Sequence, residues 1–214
     1  MILGAHRLCP LARRISILHN SYMKSRDKVA GNSVVAGGRA APSRELGNLV
    51  AAVRAATHQP GDWAHTTRQV AAALRPRLPS PAILTSEQRY GDPLSYRCHL
   101  LHAEPDGSFS VLAVVWRPGQ ETAVHDHVTW CVAAVIQGAE YEEQFELGPD
   151  GWLTLTGTAQ LSAGQVAGFA PPGDIHRVRN IGAGATISVH VYGTDIRRLG
   201  SSVRRVYQQP IVAG

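Results

Sequence analysis

The stretch 119–138, GQETAVHDHVTWCVAAVIQG, decides the fold. It holds His125 and His127, one residue apart. On a β-strand successive side chains point to opposite faces, so this spacing puts both imidazoles on one face, where they can converge on one metal. The apolar run 131–136 that follows is strand-sized. A third histidine, His176, comes after the rigid turn Pro171-Pro172-Gly173-Asp174. A lone buried histidine is usually a satisfied core residue. A pair at this spacing, with a third on a later strand, points to a metal.

Working outward, the chain from Ser95 on reads as short strand-like segments at 96–103, 109–116, 130–136, 141–147, 152–161, 166–170, 176–181 and 186–192. Turn signals separate them, among them Pro105-Asp106-Gly107, Pro118-Gly119 and Gly148-Pro149-Asp150-Gly151. Many short strands at this spacing predict an antiparallel sandwich or barrel rather than a βαβ fold. Upstream, Ser43 can cap a helix that starts at Arg44 and ends near His58, with Leu46, Leu49, Val50 and Val53 at helical spacing. A second helix is predicted from Trp63 to Leu74, closed by Pro76. The Gly-rich segment 30–42 reads as linker, and 197–205 as a basic, solvated closing segment.

The 214 residues are enough for one domain with a sizeable core plus a tail. With 44% hydrophobic and 17% charged residues, the composition is that of a globular protein. No apolar run approaches the roughly 20 residues that a membrane-spanning helix needs, so no membrane partner is expected. The formal net charge of +5 is confined to the start: residues 1–45 carry eight Lys and Arg against two acids. The remainder carries thirteen against fourteen, which gives a nucleic-acid-binding face no support. Cys9, Cys98 and Cys131 are odd in number and widely spaced, so no disulfide framework is expected. The opening 24 residues are arginine-rich and acid-free, which weakly resembles a transit peptide. The plainer reading is a disordered extension, or a start upstream of Met23, and a cytoplasmic protein.

The residues around the histidines carry a resemblance. Gly119, five residues, His125-Asp126-His127, three residues, Cys131, six residues and Gly138 match the first cupin motif, except at Cys131, where most cupins carry a glutamate ligand. Pro171-Pro172-Gly173, two residues, His176, three residues and Asn180 match the second. The resemblance implies an all-β double-stranded β-helix, or jelly-roll barrel, preceded by the two short helices. Its expected divisions are a disordered basic extension and linker at 1–42, a helical subdomain at 43–80 packed on the barrel, and a cupin domain at 81–214.

Without the glutamate, the neutral imidazoles of His125, His127 and His176 remain, and the chain resembles the cysteine dioxygenase family of thiol dioxygenases. That resemblance runs from about residue 96 to 192 and includes HRVRNI at 176–181 and SVHVY at 188–192. It implies one Fe(II) per chain, a small thiol and O2 as partners, a sulfinic acid product, and a monomer or small homo-oligomer. Ser188, His190 and Tyr192 alternate, so they share one strand face and can hydrogen-bond in series. The resemblance implies that this relay points the tyrosine hydroxyl at the iron site.

Two positions depart from the family pattern. Cys131 falls where animal enzymes carry the cysteine of a thioether crosslink; it could bond Tyr192 or remain a small buried thiol. The residue that reads the substrate carboxylate falls on Cys98, and a thiol cannot make a bidentate contact with a carboxylate. Arg97 is adjacent but belongs to the opposite strand face unless a bulge re-aims it. L-Cysteine is the first substrate implied. 3-Mercaptopropionate, another small thiol, or a metal-binding cupin acting as a sensor are the alternatives.

Overall fold

The computed structural model describes residues 34–36 and 43–213, with side chains from residue 43 to 212. Two helices come first, α1 (Arg44–Thr57) and α2 (Trp63–Leu74). Ser43 accepts from Leu46 N and caps α1, and Asp62 accepts from His65 N and caps α2, each satisfying a donor at a helix start. Both helices match the predicted spans within a residue. A short helix α3 (Ser86–Tyr90) leads into the strands.

The strands are β1 (Val34–Ala36), β2 (Arg97–Ala103), β3 (Ser110–Trp116), β4 (His125–His127), β5 (Cys131–Gln137), β6 (Ala139–Leu147), β7 (Leu153–Ser162), β8 (Val166–Phe169), β9 (His176–Arg179), β10 (Thr186–Tyr192), β11 (Val203–Val206) and β12 (Ile211–Ala213). A fourth helix, α4 (Ile196–Leu199), follows β10. The strands form two six-stranded sheets, ordered β1-β2-β3-β10-β5-β8 and β11-β4-β9-β6-β7-β12. This is the cupin-type double-stranded β-helix preceded by two helices. Val178 of the second sheet packs with Cys98, Leu112, Val114 and Trp116 of the first, so the sheets close over a shared interior.

The outer face of the first sheet is covered by the helices. Leu49, Val53, Val70 and Leu74 pack against Phe109, Val111, Val132, Val189 and Val191. On β3 and β10 these are odd-numbered positions, and the even-numbered ones face the interior, as strand alternation requires. Arg54 of α1 adds a two-point contact with Glu104 at 2.9 and 3.0 Å. Gly138 makes the β5–β6 turn with φ +75°, and a Cβ there would sit 2.4 Å from Thr186 Oγ1. Only glycine suits both constraints.

Two expectations are corrected. Residues 34–36, within the expected linker, are strand β1, which pairs in parallel with Cys98, His99 and Leu100. The linker reading missed it because three small or branched residues carry no measurable period. The rest of 1–42 lies outside the described residues. The closing segment is also not merely solvated: Val203–Val206 pairs antiparallel with β4, and its apolar content is too low for that pairing to be read from pattern alone.

Candidate metal centre

His125 and His176 are cross-strand partners on β4 and β9, and His127 is two residues along from His125 on the same face. One ring nitrogen of each lies within 4.8 Å of the others, and all three side chains are buried. The other nitrogen of each ring is committed. Nδ1–H of His125 donates to Ala123 O at 2.9 Å, that of His127 to Asp174 Oδ2 at 3.1 Å, and that of His176 to Glu142 Oε1 at 2.6 Å. Each ring is thereby fixed as the tautomer whose bare Nε2 faces its neighbours, which is how metal-ligating histidines are oriented. Burial, then the proximity of the other two rings, pushes His125 well below its ordinary pKa. Burial, His176 and His190 do the same for His127. Three buried, convergent imidazoles fit a divalent first-row metal better than a metal-free core, where ring nitrogens would go unsatisfied.

The walls are aromatic. The Phe169 ring lies 4.9 Å from that of His127 and 4.8 Å from that of His176, and the Tyr192 ring is 6.0 Å from that of His127. Along β10 the Ser188 Oγ is 2.9 Å from His190 Nε2, and the Tyr192 hydroxyl is 3.2 Å from His190 Nδ1. Trp116 Nε1 donates to Ser188 Oγ at 3.3 Å and extends this row by one residue. Burial, with a smaller push from Cys131, raises the Tyr192 phenol well above its ordinary pKa, so it holds its proton.

Cys131 is the direct cross-strand neighbour of Tyr192, and its buried Sγ is 3.9 Å from His190 Nδ1. Cys98 faces the interior beside Leu112, Val114 and Tyr192, where burial pushes its thiol up to about 12. Arg97 does not join the site. It lies on the other strand face, and its guanidinium is held by Asp92, with Nε donating to Oδ2 at 3.0 Å. The bulge that would have re-aimed it falls later, between Leu100 and His102.

Sequence reasoning missed the acids. In the sequence Asp174 reads only as part of a turn, and Glu142 and Glu140 only as strand residues. A signal existed: Glu140 and Glu142 alternate on β6, so they share one face, and their cross-strand partners Leu161 and Val178 carry apolar side chains. Asp126, between two of the histidines, is fully buried; its Oδ2 accepts from Arg204 Nε at 3.1 Å and from the Tyr207 hydroxyl at 2.9 Å. That contact ties β11 to the strand carrying His125 and His127.

Fold and site together define a cupin-type double-stranded β-helix with a three-histidine cluster that could hold one metal ion. No family model matches the chain. Its fold is similar to that of TT1209 from Thermus thermophilus, at 22% identity and TM-score 0.38 over 52% of this chain and 96% of that one. It is also similar to the cupin domain of an XRE family transcriptional regulator from Enterobacter cloacae, at 20% identity and TM-score 0.35 over 46% and 95%. An oxalate oxidase in complex with glycolate matches at 20% identity and TM-score 0.34 over 41% of this chain; the match spans 42% of that enzyme's length. Among the described residues no helix is long and apolar enough to cross a membrane.

Proposed function

We propose that this protein is a non-haem Fe(II) thiol dioxygenase that adds both atoms of O2 to the sulfur of a small thiol, RSH + O2 giving RSO2H. His125, His127 and His176 would hold the metal, and Fe(II) there would supply the positive charge that favours a thiolate and the redox chemistry that activates O2. Asp174, Glu142 and the Ala123 carbonyl keep the three rings in register for it. Phe169 keeps water from one side, and Tyr192, steadied by His190, offers its phenol oxygen to the polar end of the substrate. L-Cysteine is the substrate that the family resemblance implies first.

The observation that carries this reading is the Ser188–His190–Tyr192 chain set directly against the histidine cluster. A site that only stored or sensed a metal has no use for a buried, aligned phenol. The test is anaerobic loading with Fe(II), then O2 uptake with cysteine, 3-mercaptopropionate and 2-aminoethanethiol, with the product read by mass spectrometry. Equal consumption of O2 and thiol, with sulfinic acid formed, is expected. Fully iron-loaded protein that consumes no O2 with any thiol would leave the metal-binding sensor as the reading.

A further inference from the structure

The space beside the metal centre is acidic. A cavity of about 30 Å³ lies between the sheets, bounded by Glu140, Glu142, Phe169, His176 and His190 among others. It has room for about two water-sized groups. Glu142 is committed to His176, but Glu140 is not committed in that way. It is 4% exposed, its Oε1 makes no direct hydrogen bond, and that oxygen lies 3.8 Å from His190 Nε2. Burial pushes its carboxyl up, yet the donors of His190, Ser188 and Trp116 around it bring it below the ordinary carboxylate value. One oxygen, Oε1, is still left without a donor, and a partner from outside the chain can supply it.

A substrate carboxylate finds the opposite. None of the described residues bounding the cavity is Arg or Lys. Arg97 is spent on Asp92, and Cys98, the residue at the position that would read a carboxylate, is a neutral thiol.

Glu140 also sets the direction of the relay. A carboxylate only accepts, so its charge favours the His190 hydrogen on Nε2, the nitrogen that faces it and Ser188. Nδ1 is then the bare acceptor, and the Tyr192 hydroxyl donates to it. The phenol oxygen keeps its lone pairs for a donor. Charge and lone pairs alike suit an N–H cation.

We infer that Glu140 makes this a pocket for a small thiol that carries a protonated amine and lacks a carboxylate, an inference that rests on the thiol reading above. The probes are three thiols of matched length: 2-aminoethanethiol, 1-propanethiol and 3-mercaptopropionate. Each is titrated without O2 into the protein loaded with cobalt(II), whose sulfur-to-metal absorption reports binding without turnover. The wild type binds the amine at least about tenfold more tightly than the carboxylate, and Glu140→Gln removes most of the amine's advantage over propanethiol. Propanethiol itself changes by less than about twofold, because it presents no charge to either side chain. Cobalt stoichiometry and thermal melting check that the variant is folded; if it is not, the wild-type ranking decides alone. Tightest binding by 3-mercaptopropionate, or an amine advantage intact in the folded Gln variant, overturns the inference and leaves the thiol reading standing. Binding of none of the three overturns both.

Discussion

Cys131 and Tyr192 are opposite one another across β5 and β10, and the His190 ring lies within reach of both side chains, 3.9 Å from the sulfur and 3.2 Å from the phenol oxygen. That placement puts the sulfur and the tyrosine ring side by side on one face of the sheet, as a bond between them requires. Forming it removes two hydrogens, which O2 takes up. Iron-loaded protein turned over with thiol in air should show a second, faster-migrating gel band. Both Cys131→Ala and Tyr192→Phe abolish that band; its absence from the wild type leaves Cys131 as a packed thiol.

Removing only the Tyr192 hydroxyl separates metal binding from chemistry. Tyr192→Phe keeps the ring against His127 and all three histidines, so iron content hardly changes. Turnover falls by one to three orders of magnitude, on the order of the loss of one positioned hydrogen-bonding group. His190→Ala gives a milder loss. Full activity at unchanged iron would mean that the row on β10 is packing.

The carboxylate behind His127 is tested through the metal itself. Asp174→Asn leaves a hydrogen-bond acceptor but removes the charge that steadies the ring, and metal affinity drops about 10- to 100-fold. Alanine at His125, His127 or His176 strips most of the iron while the helices and sheets persist by circular dichroism. Competition with a chelator measures both effects.

Acid acts on the metal-free protein with a definite sign. His125 and His127 titrate well below the ordinary value of 6.5, so below that pH the unfolded chain binds more protons than the folded one. Stability is complete above pH 6.5 and falls as the pH drops towards the folded values, by about 1.4 kcal/mol per pH unit for each histidine. Urea unfolding of the metal-free protein at pH 7.5 and 5.5 checks this; equal midpoints would mean that the rings are not buried as neutral imidazoles.

The N-terminal boundary follows from β1. A chain beginning at Asn32 keeps the strand that pairs with Cys98–Leu100, and one beginning at Ser43 bares the β2 edge. Both should hold their metal, and the shorter should melt a few degrees lower, as the loss of about 1 kcal/mol implies for a domain of this size. Melting curves beside metal stoichiometry decide it.

The parts of this molecule that were legible in its sequence share a cause. Leu49, Val53 and Val70 recur at helical spacing and the β3 and β10 residues alternate because each face has a fixed environment, and environment writes a period. The three histidines stood out because that residue type at i, i+2 has few other uses. Glu140 and Glu142 were harder to read because a strand carboxylate ordinarily marks the solvent face, and Asp174 because a turn acid ordinarily does; the imidazoles they face are brought to them only by the fold. Likewise β11, with Arg204 and Arg205 at its centre, has no pattern of its own. Its pairing is dictated by β4, 76 or more residues away in the chain.

That long reach orders the making of the protein. The strand bearing His125 and His127 gains its edge partner, and buried Asp126 its guanidinium and phenol, only from residues 203–207. On a ribosome those residues are still unmade, or within the exit tunnel, when both histidine-bearing strands have emerged. The nascent chain thus carries the three histidines before the frame that steadies two of them, and that frame closes only when residues 203–207 join β4.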